Sequence, residues 1–454
     1  LPRLVRLYQQ YNGAHTEDYA MLNSYLGQFM NDWQNWKMQE AFANPEDYFD
    51  QSLARMAEQR LQGWNAIRAN PNIVAHSMTG TVDQGTPSCA EGLTTAFREL
   101  KPGTVDALFE GTAKLRLCLF AEPVNLYRGA TVQLDAVLAN EDALKPGKYP
   151  VRLQVVGPNN EPVYDKTIEV EVPGLQDGKE PPFAITFSSE KISVDGPSGK
   201  YRFLANMQSG GAPAGGRSVF YVTDPADMPA VAKEVVLWGD DGDLEQWLNS
   251  RGIKTRKFDP AVADQRQLIL VSGQPQAPGG AEAFRDLAAR IARGSSVVFL
   301  VPSVFKEGDN STRWVPLKNK GGVGGISRWL YLADDWAKNH PIFDGLQSGA
   351  LLDFTIYREI IPNEVWYGQQ EPAELVAGSI CASLGYTSAL TVTVQKLGTG
   401  RFILNTLWIR GNLGNVPVAE RLLRNMLNYA SRDLDQPVAD LPADFEEQLK
   451  AMGY

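Results

Sequence analysis

From Lys114 to Asp224 the apolar residues recur at every second position. KLRLCLF, TVQLDAVLA, YPVRLQVVG, PVYDKTIEVEV, FAITF, KYRFLANM and RSVFYVT are seven such runs, with turn sequences such as Gly157-Pro158-Asn159-Asn160 and Gly196-Pro197-Ser198-Gly199 between them. Successive side chains of a strand point to opposite faces, so this period predicts strands, and a series of short strands broken by turns predicts an immunoglobulin-like β-sandwich. The cysteine pair usual in that fold is absent, which leaves the disulfide-free kind. The tract also divides the chain. It cannot be continuous with flanks whose apolar residues follow other periods.

Upstream, residues 1–111 read as mostly helical. Leu22, Leu26, Phe29, Trp33 and Trp36 fall at three- and four-residue spacing, one apolar stripe of a helix starting near Thr16. Asn44-Pro45 is a helix start with Asn as cap and Pro in the first turn, and Leu53, Met56, Ala57, Leu61 and Trp64 continue that helix to about Ile67. The run PNIVAHSMTGTVDQG, residues 71–85, then predicts a strand with a polar end, with His76 inside it as a hydrogen-bonded core residue. A shorter helix is expected near Leu93–Leu100, and one or two further helical turns from Pro102 to Gly111.

Downstream of the Pro- and Asp-rich linker Thr223–Pro229, strand-like and helix-like runs alternate. EVVLW, KTRKF, QLILVSG and SVVFLVP read as strands, and Leu244–Ser250 and Ala281–Arg293 as helices. That alternation predicts a mostly parallel sheet covered on both faces. LTVTVQKLGTGRFILNTLWI reads as a hairpin about Gly398-Thr399-Gly400, followed by a helix over Val416–Tyr429. An acidic tail with a short amphipathic end closes the chain. The expected fold class is therefore multidomain, α/β plus all-β, with segments 1–111, 112–224, 232–432 and 433–454.

Composition narrows the partners. The 454 residues carry a net charge of −10 with no basic cluster, which argues against nucleic acid, since phosphate binding needs a Lys/Arg footprint. No stretch approaches the ~18 consecutive apolar residues of a membrane span. Cys89, Cys118 and Cys381, and His15, His76 and His340, are too scattered for the usual zinc spacing; no metal or organic cofactor is implied. The chain opens on Leu1 without a signal-peptide pattern, so either processing or a longer parent chain is expected.

Few residues invite chemistry. Lys320-Gly-Gly-Val-Gly-Gly-Ile326 lacks the GK[ST] ending of a phosphate loop and reads as a flexible loop. The third segment has no G-x-C-x-G or G-x-S-x-G turn, so Cys381 and the pair Ser303 and His340 are weak nucleophile candidates and the segment reads as catalytically empty. Trp33, Trp36, Tyr48 and Trp64 sit at core spacing rather than forming a sugar-stacking platform. Asp83 either lines a site or makes a structural hydrogen bond, and Glu91 either lines it or serves a helix N-terminus.

The run AIRANPNIVAHSMTGTVDQG resembles the eighth barrel strand of family 2 glycoside hydrolases, the beta-galactosidase and beta-glucuronidase group. Val82-Asp83-Gln84 match the end of its W-D-W-x-D-Q motif, while Thr79, Gly80 and Thr81 stand where the family has Trp, Asp and Trp. EGLTTAFRELKPG, KLRLCLFAEPVNLYRG and VQLDAVLANEDALKPGKYPVRLQVVGP resemble a bacterial subgroup in which the barrel is followed by a sandwich and an amidotransferase-like domain. KNHPIFDGL and LGTGRFILNTLWI fit that last domain without its nucleophile. The resemblance implies that segment 1–111 is the end of a (β/α)8 barrel and that the intact protein is a retaining hydrolase of beta-glycosides. Such an enzyme uses two glutamates roughly 5–5.5 Å apart. Both are expected upstream of Leu1, leaving no catalytic residue in this chain and Thr79, Asp83, Gln84 and Glu91 as substrate-binding candidates. A non-catalytic carbohydrate-binding or assembly module is the alternative. The expected partners are a beta-glycoside or oligosaccharide and either a second copy of the chain or the N-terminal part of the same protein, in a bacterial setting whose compartment stays open, extracytoplasmic being favoured over cytoplasmic.

Overall fold

The computed structural model describes residues 1–73, 75–78, 80–83, 91–175, 177–273, 280–326, 333–382 and 385–454. Four helices come first: α1 (Pro2–Tyr11), α2 (Glu17–Asn35), α3 (Pro45–Ala69) and α4 (Thr104–Gly111). The start of α3 follows from its cap. The Asn44 side chain accepts the Asp47 N–H at 2.9 Å, and the Asp47 carboxylate in turn accepts the Ala43 N–H at 3.1 Å. In α2 the apolar stripe is buried at Leu22, Phe29 and Trp33.

The segment between α3 and α4 departs from expectation. No strand is formed over the described residues of 71–85, and Val82 makes only an isolated bridge to Thr94. No helix forms over 93–100 either. The backbone instead closes on itself. Leu93 and Thr94 N–H groups donate to Thr81 O, Asp83 N–H to Thr94 O, and Lys101 N–H to Leu93 O. These bonds tie the described part of the segment into a loop rather than to a neighbouring strand. His76 is exposed, outside any strand, with its ring edge-on to Trp64 at 4.4 Å.

Each of the seven alternating runs forms a strand, and two short strands join them: β1 (Leu115–Glu122), β2 (Asn125–Tyr127), β3 (Thr131–Asn140), β4 (Gly147–Val156), β5 (Pro162–Val172), β6 (Ala184–Ser193), β7 (Gly199–Met207), β8 (Ala214–Gly215) and β9 (Arg217–Thr223). They make two sheets, ordered β6-β3-β1-β8 and β2-β9-β7-β4-β5. Leu117, Val132 and Leu138 from the first sheet and Val151, Leu153, Tyr201 and Phe220 from the second share one core.

The remaining elements are β10 (Val235–Trp238), α5 (Gly242–Ser250), β11 (Thr255–Lys257), β12 (Leu268–Val271), α6 (Ala281–Ala292), β13 (Ser296–Phe299), β14 (Gly322–Gly324), β15 (Asp334–Ala337), β16 (Ala350–Leu351), α7 (Phe354–Tyr357), β17 (Val365–Tyr367), β18 (Glu374–Cys381), β19 (Thr387–Leu397), β20 (Gly400–Asn405), α8 (Pro417–Ala430) and α9 (Phe445–Ala451). Their sheet runs β11-β10-β12-β13-β20-β19-β18-β15-β16, with β17 on β19 and β14 on β17. Only the half from β11 to β20 is parallel, and from β20 to β16 every pairing is antiparallel. The expectation of a mostly parallel sheet is corrected accordingly. The hairpin at Gly398–Gly400 turns the direction, and it does so against α6. A Cβ at Gly398 would lie 2.3 Å from Ala292 O, so only glycine permits that approach. The Gly-rich stretch near 322 is likewise not a flexible loop, since it supplies β14.

Both faces of this sheet are covered. Val235, Leu237, Leu268 and Leu270 face a core shared with α5 and α8, while Val236, Trp238, Ile269 and Val271 face a core shared with α6 and α9. Phe29, Trp33, Phe42 and Tyr48 belong to that second core, together with Trp336 and Trp366. The N-terminal helices are thus packed on the long sheet. At that seam Ser52 donates to Asp334 at 2.7 Å and Tyr386 donates to Asp32 at 2.6 Å. Burial pushes the Asp334 carboxyl up, against the pull of Arg55, Ser52 and Tyr48.

Candidate functional site

The loop between α3 and α4 holds the two described candidate acids. Asp83 follows the Val82–Thr94 bridge, which presents its side chain to Gly92 and Lys101. Lys101 Nζ donates to Asp83 Oδ1 at 2.6 Å, and the Gly92 N–H donates to the same oxygen at 2.9 Å. The Lys101 and Asp83 side chains are 6% and 8% exposed, so the pair is desolvated. Position 92 requires glycine, because a Cβ there would sit 2.5 Å from Asp83 N and 2.8 Å from its carboxylate. Burial lowers the pKa of Lys101, with Asp83 opposing it.

Arg60 reaches into the same loop from α3 and donates to the Glu91 carbonyl. Burial lowers the pKa of Arg60 too, while Asp83 and Glu91 raise it. Glu91 is half-buried, with its carboxylate near Gly80. Two cations and two carboxylates are gathered here, a charge-balanced cluster. Asp83 accepts from an ammonium and a backbone amide, so it is set up to brace the loop rather than to take a proton from a reactant. Thr79 and Gln84 lie outside the described residues.

The other candidates are not brought together. His340 Nε2 lies 3.2 Å from Glu374 Oε2, and its Nδ1 accepts the Ile342 N–H at 3.2 Å, so neither ring nitrogen serves Ser303. Burial lowers the His340 pKa, against Glu374. Cys381 is buried in β18 among the apolar side chains of Ile326, Ala333, Val365 and Ala389. Cys118 is buried in β1, and burial pushes its thiol up. Cys89 lies outside the described residues. Trp33, Tyr48 and Trp64 are core residues, and Trp36 packs on Trp336 at 6.0 Å between ring centres. Among the described residues no three His, Cys, Asp or Glu side chains are grouped to hold a metal ion.

Sequence reasoning missed one polar corner. β10 lies between β11 and β12, so its neighbours are reached in opposite directions, and the carboxyl ends of such strands form a crevice. There Asp241 caps α5 by accepting the Leu244 N–H at 3.0 Å and accepts Ser272 Oγ at 2.7 Å. Arg410 clamps it from the far end of β20, at 2.8 and 2.6 Å. Burial pushes the Asp241 carboxyl up, but Arg410, Ser272 and the Leu244 N–H together outweigh it and hold it below its ordinary range. The strand–turn–helix sequence around Gly239–Gly242 was a usable signal for Asp241. Nothing local pointed to Arg410.

Fold and site define a mixed α/β chain with several sheets and a charge-balanced, braced loop. No protein-family model matches the sequence, and no curated protein does. Among solved structures, it is similar to a glycosyl hydrolase family 2 member from Bacteroides cellulosilyticus, at 14% identity and TM-score 0.18 over 45% of this chain and 27% of that one. The beta-glucuronidase of Parabacteroides merdae aligns at 12% identity and TM-score 0.18, over 45% and 26%. An alkylpurine DNA glycosylase of Pseudomonas fluorescens aligns at 13% and 0.18, over 26% and 32%. The chain spans less than a third of the length of each of these proteins. No helix among the described residues is long and apolar enough to cross a membrane.

Proposed function

We propose that this chain is the non-catalytic C-terminal part of a retaining beta-glycoside hydrolase of the family 2 type, whose catalytic glutamates come from sequence before Leu1. The reading rests on the motif resemblance of residues 66–85, and one structural observation supports it above others. Asp83, the acid at the matching end of that motif, is buried and held by Lys101 and the Gly92 N–H. A carboxylate so engaged orients its loop, and it neither protonates a leaving group nor attacks a sugar carbon. Thr79, Gln84 and Glu91 are assigned with it to the rim of a sugar subsite. Segment 1–111 then stands where the resemblance puts the end of the barrel, 112–224 is the immunoglobulin-like sandwich, 232–432 the amidotransferase-like domain without nucleophile, and 433–454 its tail.

Assay of the chain on aryl beta-glycosides tests this reading. The expected result is no turnover. Robust hydrolysis that disappears in Asp83→Asn or Glu91→Gln would place the catalytic acids here and sink the proposal. Glycan binding by a longer natural form that also fails to hydrolyse would make the chain part of a binding module instead.

A further inference from the structure

His340 stands immediately before the single helical turn Pro341–Phe343, and its side chain is the cap of that turn. Nδ1 accepts the Ile342 N–H at 3.2 Å. A ring nitrogen that accepts carries no proton, so the one proton of the neutral ring sits on Nε2, which faces Glu374 Oε2 at 3.2 Å. The backbone thus selects both the charge state and the tautomer of this side chain, which is only 12% exposed.

The capped turn is a junction. Ile342 and Phe343 are buried in the core shared with α8. Asn425 of α8 donates to Ile342 O and Asp344 O, both at 3.0 Å. Arg421, also of α8, donates to Asp344 O at 3.4 Å and to Asp227 O, in the linker after β9, at 2.9 Å. A chain of hydrogen bonds therefore runs from the imidazole through the turn to the helix and the linker.

Charged and titratable groups face the ring from each element around it. β18 supplies Glu374, whose Oε2 also accepts the Tyr429 hydroxyl from α8. The Tyr429 ring lies 4.7 Å from that of His340, centre to centre. The Arg432 guanidinium sits over the Tyr429 ring at 4.4 Å, and Arg401 of β20, paired with Asp433, lies 5.9 Å from the same ring centre. Asp344 belongs to the turn itself. Burial is the largest influence and holds the His340 pKa below its ordinary value of 6.5, with Arg432 adding to it and Glu374 and Asp344 opposing it. Glu374 is 40% exposed and shares its oxygen with Tyr429, so its pull on a charged ring is weakened.

We propose that His340 is an acid-sensitive latch, whose protonation uncaps Ile342 and loosens the turn Pro341–Leu346 from α8 and the linker. The added proton can go only to Nδ1, since Nε2 already holds one. Two N–H donors would then face each other where one hydrogen bond had been. Once the turn opens, the ring regains water and its ordinary proton affinity. The open form therefore binds more protons than the closed one below pH 6.5. Stability present above that pH is lost as the pH falls through the lower, folded value. The latch is independent of the glycosidase reading, because it concerns the closure of a joint and not turnover.

Nuclear magnetic resonance of the whole chain labelled at its histidine rings tests the first half. The chain has three histidines, and the signal that His340→Asn removes belongs to His340. The Nε2–H tautomer at pH 7.5 and a titration midpoint below 6.5 are expected. Amide exchange of peptides spanning residues 341–346 tests the second half. Protection is expected to fall by up to about tenfold between pH 7.5 and pH 5.5 in the wild type. It should hold in His340→Asn, whose side-chain oxygen can cap the turn without titrating. The Nδ1–H tautomer, or a midpoint at or above 6.5, overturns the proposal even if the variant does not fold. Undiminished protection in the wild type, or an equal fall in His340→Asn, overturns it as well.

Discussion

The strands of residues 115–223 and the helices before them bury their apolar residues by different routes. The strands close a core of their own, in which Leu117, Val132, Leu153, Tyr201 and Phe220 belong to a cluster drawn, among the described residues, from the two small sheets and their connections. The helices do not. Phe29, Trp33, Phe42 and Tyr48 enter the same core as Trp336, Ile380 and Leu390 of the long sheet, which lies some three hundred residues further along the chain. α3 also reaches the first small sheet, where Arg68 is buried beside Glu141 and donates to Ala113 O. A stripe of apolar residues at helical spacing therefore announces a buried face without announcing its partner, whereas alternation repeated over seven strands nearly supplies its own.

Five changes would break or sharpen that contrast. Phe29→Ala removes a fully buried ring at the helix–sheet seam and should cost about 3–5 kcal/mol. Denaturant unfolding followed by tryptophan fluorescence would detect it, and loosening of the helices with the sheet transition unmoved would show that they are not one unit. Leu153→Ala should cost about 2–5 kcal/mol, with lost amide-exchange protection confined to the two small sheets. Equal loss in the long sheet would contradict a separate core.

Lys101→Met leaves Asp83 buried without its cation and should cost about 3 kcal/mol, a penalty that Asp83→Leu in the same chain relieves. Failure of the double variant to recover would mean the pair does more than brace the loop. The cap on α3 is a smaller lever, and Asn44→Ala should lower stability by about 1 kcal/mol.

The smallest effect is one of pH. Burial, with Arg313 adding to it, pushes the Lys320 ammonium from 10.5 down to about 8. Between these values the unfolded chain binds more protons than the folded one, so stability should rise with pH across the window relative to Lys320→Met. Thermal midpoints of the two proteins at pH 7.5 and 9.5 measure it. Parallel curves would show that Lys320 is not destabilised by burial.

Much of the local structure was legible. All seven alternating runs are strands, α3 begins at the Asn44 cap, and the hairpin turns at Gly398–Gly400. The misreadings share a cause. PNIVAHSMTGTVDQG has the composition of a strand with a polar end, but the described part of it finds hydrogen-bond partners within a loop tied to Leu93, Thr94 and Lys101. Composition records what a segment could pair with, and competition among partners decides the outcome. Of the second half of the long sheet the β19–β20 hairpin was legible, whereas β14 to β17 are two to four residues long, too short for a period to register, and the eight-residue β18 was not read.

The candidate site was legible as a position and not as a state. Asp83 and Glu91 stood out beside an apolar run, but how each is held depends on Lys101, which pairs with the Asp83 carboxylate, and Arg60, which donates to the Glu91 carbonyl, both outside that run. The same holds for Asp241, whose capping role is local and whose clamp, Arg410, comes from the far end of β20. Strand periods, caps, glycine turns and the lack of a nucleophile turn were determined by the sequence alone, because each depends on residues within a few positions of one another. The direction of the long sheet, the burial of the N-terminal helices against it and the pairing of every buried charge were decided by the tertiary structure. Those choices are made between groups far apart in the chain, where solvent exclusion and competition for partners set the free energy.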